Sequence, residues 1–345
     1  MPAYARDMDA TADARLDLLR YYAEYFDPGM TDLSASCPPP AALAMDLADA
    51  LTADGLAFVP PSGAPELRDA IAARYTTVTP GDVLIAAGAS EALAAIALAL
   101  LEPGARAAVD GGVYASFTEA AKAAGAVLAP ESPLAPGTAV VAVCNPATPS
   151  GRIRDMAALA AEARAAGAVL AADEVYRDLS DVPIAAAADL DARAVSIADL
   201  SKPLGLGALR IGWIATRNAA LRERLDRQLQ LLSGGPSALS VRAALAAFET
   251  FDHEVARTMA AAAGNGGAIQ RELAAHGWTF TSPEAGLTVL AWPPAPVAAV
   301  AEARVREAGL FLIPCDMYGA PGAYRFGLLA PLESVRRALR LLAAP

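Results

Sequence analysis

Histidine and cysteine are scarce in this chain of 345 residues, with two of the first and three of the second. His253 and His276 are too few and too far apart for a zinc site and read as surface positions on C-terminal helices. Cys37, Cys144 and Cys315 form no Cys-x-x-Cys pair. An odd, dispersed set points to reduced thiols and a cytoplasmic setting rather than a disulfide framework. Aromatics make up only 6% while hydrophobic residues reach 55%, so close helix packing through the abundant alanine must replace bulky filling. Positive charge is also in deficit. The net charge is 27 − 38 = −11 and is spread along the chain, which argues against nucleic acid and anionic membrane as partners. The apolar run from Ala86 to Leu101 is interrupted by Glu91 and is too short to cross a bilayer. The opening Met1–Asp7 has an early acid and no apolar stretch, so it does not read as a signal peptide. The chain reads as a soluble protein of one large domain or two moderate ones.

What is present is alternation. Strand-like runs at Val83–Ala86, Ala105–Asp110, Ala139–Cys144, Ala168–Asp173, Ala194–Asp199 and Leu209–Thr216 are uninterrupted and apolar. Helical segments lie between them: from Ser90 to Leu101, Phe117–Ala124 and Met156–Ala166. Continuous apolar strands separated by helices predict an α/β fold with a mostly parallel sheet covered on both faces. The ends differ. Residues 1–45 offer a short helix, Leu16–Phe26, and an extended Asp32–Pro40 segment with three prolines. After Pro236 the chain reads as helical to about Ala275, then as strands at Thr288–Ala291, Phe311–Ile313 and Tyr324–Leu328. The expectation is an N-terminal segment 1–45 joining a smaller α+β domain 237–345, with a large domain 46–236 between them. No internal repeat or disordered tract is evident.

The chemically informative residues stand just beyond strand ends, where open α/β sheets place their ligands. Lys202 follows a short strand and precedes a glycine-loosened loop, which suits imine formation. Arg210, eight residues later, supplies a fixed cation for a phosphate. Asp173 ends an apolar strand, an expensive place for a carboxylate unless a cation meets it. A protonated pyridine nitrogen would be that cation, and Tyr176 could reach the ring's phenolic oxygen. Taken alone, Asp173 could equally cap the next helix. Gly88-Ala89-Ser90 lies between a strand and a helix, so backbone N–H groups and the Ser90 hydroxyl could cradle a phosphate, or Ser90 could be an ordinary cap. Tyr114 could stack on a planar ring or simply pack.

These positions together resemble the fold-type I pyridoxal-phosphate enzymes, specifically the class I/II aminotransferase superfamily. The resemblance rests on Ala172-Asp173-Glu174-Val175-Tyr176, on Ser201-Lys202 with Arg210, and on Asn145-Pro146-Ala147-Thr148-Pro149-Ser150-Gly151, and it spans nearly the whole chain. It implies a seven-stranded type of sheet and pyridoxal 5'-phosphate as cofactor. Lys202 would carry the internal aldimine and shuttle the proton between Cα and C4′ through a quinonoid. Arg210, Ala89 and Ser90 would bind the phosphate, Tyr114 would stack, Asp173 would pair with the ring nitrogen, Tyr176 would contact the ring, and Thr148, Asp199 and Ser201 would also lie at the cofactor. Arg325, in Tyr324-Arg325-Phe326-Gly327, would clamp the substrate α-carboxylate through its planar fork. The substrates would be an amino acid and a 2-oxo acid, and the site would form at a homodimer interface.

Three departures from that family stand out. Thr148 occupies the place of an asparagine that donates to the phenolic oxygen, and Asn145 does not take over that role. Phe58 stands where many relatives have a tyrosine that reaches the neighbouring subunit's phosphate. Asp199 replaces a serine or threonine that touches the phosphate, so it should turn elsewhere or meet a cation. Some arginine oxidases of this type share that aspartate, and the Leu16–Ser36 opening is similar to capreomycidine synthase. The alternative to transamination is therefore elimination, replacement, cyclisation or oxidation of an amino acid, with an arginine-like cation as one substrate class. A third reading, a cofactor-binding regulator, lacks an attached helix-turn-helix.

Overall fold

A computed structural model describes residues 16–44, 51–52, 57–60, 62–131 and 133–343. The Met1–Asp7 opening and the expected boundary at residue 45 lie outside the described residues. The first strand is Thr31–Asp32 (β1). Next come Val83–Ala86 (β2), Arg106–Val109 (β3), Val127–Pro130 (β4), Thr138–Cys144 (β5), Val169–Asp173 (β6), Val195–Asp199 (β7) and Gly212–Ala215 (β8). The last third adds Thr279–Phe280 (β9), Thr288–Trp292 (β10), Leu310–Phe311 (β11), Ile313–Pro314 (β12) and Tyr324–Gly327 (β13).

β2 to β8 form one seven-stranded sheet in the order β2-β8-β7-β6-β5-β3-β4. Only β8 runs against the others, so the expected mostly parallel sheet is observed. The strand sequences explain the two-sided cover. In β5, Val140, Ala142 and Cys144 join a core with Leu93 and Ile96 of the helix Ala89–Leu100. Val141 and Val143 point the other way, into a core with Met156, Ala160 and Ala163 of the helix Met156–Ala165. Successive side chains alternate faces, so a strand covered twice must be apolar throughout. Asp155 caps that second helix by accepting from the Ala158 N–H at 3.0 Å.

β9, β10, β12 and β13 make a four-stranded antiparallel sheet in the order β12-β13-β10-β9. β1 pairs in parallel with β11, and the Phe311 ring lies 5.5, 5.0 and 5.1 Å from those of Tyr21, Tyr22 and Phe26. The helix Leu16–Tyr25 is thereby held against the C-terminal third. Among the described residues, no helix is long and apolar enough to cross a membrane.

Several boundaries differ from the sequence reading. β4 is an additional strand at the sheet's edge; its half-exposed residues and terminal proline leave no clear period. The expected strand Leu209–Thr216 begins only at Gly212, because Gly207–Leu209 form a 3-10 turn and Arg210 adopts φ 51°. The run after Pro236 is two helices, Ala238–Glu249 and Phe251–Ala275, separated at Thr250 with φ −115° and ψ 7°. His253 on the second helix is exposed and His276 follows its end, half-buried.

Candidate active site

β5, β6 and β7 end side by side, with Cys144 opposite Asp173 and Asp173 opposite Ile197. A cavity of about 430 Å³ opens beyond those ends, and it is lined by Ala89, Ser90, Tyr114, Thr148, Asp173, Tyr176, Asp199, Ser201, Lys202, Arg210 and Arg325, the eleven residues expected to meet cofactor or substrate. Asp173 closes β6 at 4% exposure, with one long contact from the Val175 N–H at 3.4 Å. Burial raises its pKa to about 7, and the neighbouring carboxylate of Asp199 adds to the rise.

Asp199 ends β7 and turns along the chain. Its Oδ1 accepts from the Ser201 N–H at 2.9 Å and from the Ser201 hydroxyl at 2.6 Å. Asp199 is thus held in a local cap, and the Lys202 ammonium is close enough to feel its charge. Ser201 spends its proton on that acid.

Lys202 sits in the single-turn helix Ser201–Leu204. Its Nζ donates to Ser36 Oγ at 3.4 Å and stands 5.9 Å from the centre of the Tyr176 ring. The Tyr176 oxygen holds the lysine pKa above its ordinary value, helped by Cys37 and Asp199, while burial pulls it down. The turn closes at Gly205, φ 69°, where a Cβ would meet the Pro38 carbonyl oxygen at 2.4 Å. Only glycine lets the Asp32–Pro40 segment pass so close to the lysine turn.

At the other end of the cavity the helix Ala89–Leu100 begins, with Ala89 and Ser90 in its first turn. Arg210 Nη2 donates to the Ala87 carbonyl at 2.7 Å, which brings the guanidinium flat against Gly88. A Cβ on Gly88 would meet that nitrogen at 2.4 Å. A helix N-terminus and a guanidinium together make an anion cradle.

Tyr114 caps the helix Ala115–Ala123 and is 40% exposed, leaving its ring face open. Thr148 Oγ1 is buried without a partner. Asn145 is fully buried and does not line the cavity; its Oδ1 accepts from the Arg154 N–H at 2.8 Å. Phe58 is 82% exposed and does not line the cavity either.

Arg325 projects from β13 at 4% exposure. Its Nη1 donates to the Tyr318 hydroxyl at 3.0 Å and its Nη2 to Tyr22 at 3.3 Å, while Nε is buried and unpartnered. Burial pushes the Tyr22 phenol up to about 12, so it stays protonated. Tyr22, Tyr318 and Ser36 are site residues that the sequence reading missed. Nothing local marks them: the Tyr21–Tyr22–Tyr25 pattern reads as a packing face. Asp110 was missed too. It ends β3's run, holds Arg154 at 2.8 Å and accepts from the Cys144 N–H, which ties the Tyr114 loop to the Thr148 loop.

Residues 30–342 match the family aminotransferase class I and II, and the chain belongs to that family. It is 25% identical over 319 residues to aspartate/prephenate aminotransferase of Thermus thermophilus, covering 83% of this chain and 82% of the relative. Valine–pyruvate aminotransferase of Mycobacterium tuberculosis is 31% identical over 246 residues, 62% of this chain and 61% of that one. The solved structure of N-succinyldiaminopimelate aminotransferase from Mycobacterium tuberculosis superimposes with a TM-score of 0.83 at 23% identity, over 96% of this chain and 97% of that one. The protein is accordingly a pyridoxal-phosphate enzyme of the aminotransferase type with a fold-type I architecture.

The residues present fit that cofactor. A buried acid with no ion pair among the described residues, an orphaned Thr148 hydroxyl and an anion cradle at Gly88 stand around one cavity. Each is costly unless a charged or polar group meets it. A pyridinium nitrogen, a phenolic oxygen and a phosphate would meet them in turn.

Proposed function

We propose that the protein transfers the amino group of an amino acid to a 2-oxo acid, with Lys202 as its central catalytic residue. Bound pyridoxal phosphate supplies an aldehyde for the amine and a ring that accepts the electron pair left at Cα. Lys202 Nζ would hold the cofactor and, when released by the incoming amine, would serve as the base for the substrate Cα proton and as the acid that gives it back. Asp173 keeps the ring nitrogen protonated. Tyr176 and Thr148 orient the ring through its phenolic oxygen, and Tyr114 covers one face. Ala89, Ser90 and Arg210 hold the phosphate. Ser201 positions Asp199 rather than donating to the phosphate. Arg325 clamps the α-carboxylate, and Tyr22 and Tyr318 fix the plane of its fork.

The observation that carries this reading is the convergence of Lys202, Asp173 and Arg325 on one cavity. Mixing the holoenzyme with amino acids in a single turnover should convert its absorbance to that of the amine form of the cofactor, and a 2-oxo acid should reverse it. Borohydride should fix the cofactor to Lys202. A full panel of donors that leaves the spectrum unchanged would refute transamination.

The Asp199–Ser201 contact and the short Thr148 side chain favour a second reading, in which the same residues support elimination, replacement, cyclisation or oxidation. Ammonia release, a new ring or oxygen uptake without the amine form would identify it. The proposal also includes a homodimer and the division into residues 1–45, 46–236 and 237–345. A monomer by sedimentation that retains full activity would remove the first.

A further inference from the structure

We infer that the substrate side chain is neutral and apolar, of the phenylalanine or leucine kind, rather than acidic or cationic. This rests on the reading of the site given above, which fixes three directions around the substrate Cα. Lys202 addresses the Cα proton and Arg325 takes the carboxylate. The Asp173, Ser90 and Arg210 end is filled by the cofactor's ring and phosphate. The side chain is left with the remaining wall, made by Leu18, Tyr22, Met317 and Tyr318, which pack together.

That wall carries no formal charge. Its two buried hydroxyls, on Tyr22 and Tyr318, accept from Arg325, and each keeps one neutral O–H to donate but no charge to offer. Among the described residues lining the cavity the cations are Lys202, Arg210 and Arg325, each with a task at another end. The acids are Asp173 and Asp199. Asp199 stands beside Asp173 and the lysine turn, where its charge acts on those two groups, at the end taken by the cofactor. A side-chain carboxylate or guanidinium would lose its water against this wall and gain no opposite charge among the described residues, which is unfavourable. An aromatic or branched side chain would gain burial. Gly111 and Gly112 leave the floor beside the wall low. A Cβ on Gly112 would meet the Thr148 carbonyl oxygen at 2.9 Å, so that loop runs as close to the Thr148 segment as a backbone can.

The test uses carboxylic acids that lack the α-amine, so binding is read apart from turnover. The holoenzyme is titrated calorimetrically with 3-phenylpropanoate, 4-methylpentanoate, succinate and 5-guanidinopentanoate, all of which share the carboxylate for Arg325. The two apolar acids should bind at least ~10-fold more tightly than the two charged ones. Equal or tighter binding of succinate or 5-guanidinopentanoate overturns the inference, whatever group supplies the extra contact. If the apolar acids bind best and yet no amino acid yields the amine form of the cofactor, the inference stands and transamination falls. Leu18→Arg should shift the ratio of succinate to 3-phenylpropanoate affinity by ~10-fold or more towards succinate. An unchanged ratio would remove Leu18 from the wall and overturn the assignment.

Discussion

Replacing Asp173 with asparagine should stabilise the protein stripped of its cofactor while crippling the loaded enzyme. In the folded chain the Asp173 carboxyl is raised from 3.8 to about 7, first by burial and then by Asp199, with Glu174 adding to the rise and Lys202 and the Val175 N–H opposing it. The folded value lies above the unfolded one. The group's stabilising contribution is therefore fully present below 3.8 and gone above about 7. That interval, at ~1.36 kcal/mol per pH unit, comes to about 4 kcal/mol. Asparagine has nearly the same shape and no ionisation. Cofactor-free Asp173→Asn should match the wild type near pH 4 and exceed it progressively up to pH 8, by at most about 4 kcal/mol. Denaturant unfolding at fixed protein concentration measures this, since concentration sets apparent stability if the chain is a dimer. With cofactor bound the order should reverse, because a ring cation faces the wild-type acid and only an amide in the variant. A difference that does not depend on pH, or a cofactor-free variant weaker than wild type at pH 8, would refute the argument that Asp173 is a buried acid awaiting a cation.

Lys202→Ala should remove the borohydride-fixed adduct and lower kcat by ~10³-fold or more while circular dichroism is unchanged, since both covalent attachment and proton transfer depend on that amine. Arg325→Lys should lower kcat/KM by about 10- to 100-fold through a raised KM with the cofactor spectrum intact, because an ammonium cannot replace a planar fork; steady-state kinetics with varied amino acid would show it. Arg210→Ala should weaken cofactor binding by roughly 10- to 100-fold, with activity largely recovered at saturating pyridoxal phosphate, as titration of the stripped variant would record.

Much of the site was legible because its chemistry is written at strand ends. Asp173 and Asp199 each close an apolar run, and the acid after such a run stands out against the hydrophobic background. Lys202 and Arg210 lie on one short stretch with glycines between them, so their proximity is local. The seven-stranded sheet was legible for the same reason, since uninterrupted Ala and Val runs have few other uses. Tyr22 and Tyr318 were not, because their partnership with Arg325 is a product of tertiary packing; Tyr22 is 303 residues away in sequence. Ser36 carries no such signal, because a serine two residues before a run of prolines reads as loop. Arg210 was placed on a strand because its neighbours are apolar, whereas its left-handed backbone aims the side chain at the Ala87 carbonyl. Hydropathy carries no information about that dihedral.

Ser34 Oγ donates to the Arg325 carbonyl oxygen and accepts from the Ile313 N–H at 2.9 Å, so the beginning of the chain is knotted by hydrogen bonds to its far end. During synthesis Tyr21 of the opening helix cannot reach its acceptor, the Leu312 carbonyl, until the ribosome has delivered a residue 291 positions later. Loop closure over that span is slow compared with local contacts. The sheet that carries Asp173 and Lys202 can assemble first, and the wall bearing Tyr22 closes last. A nascent chain halted before β13 should therefore contain the cofactor's lysine and acid but no seat for a carboxylate.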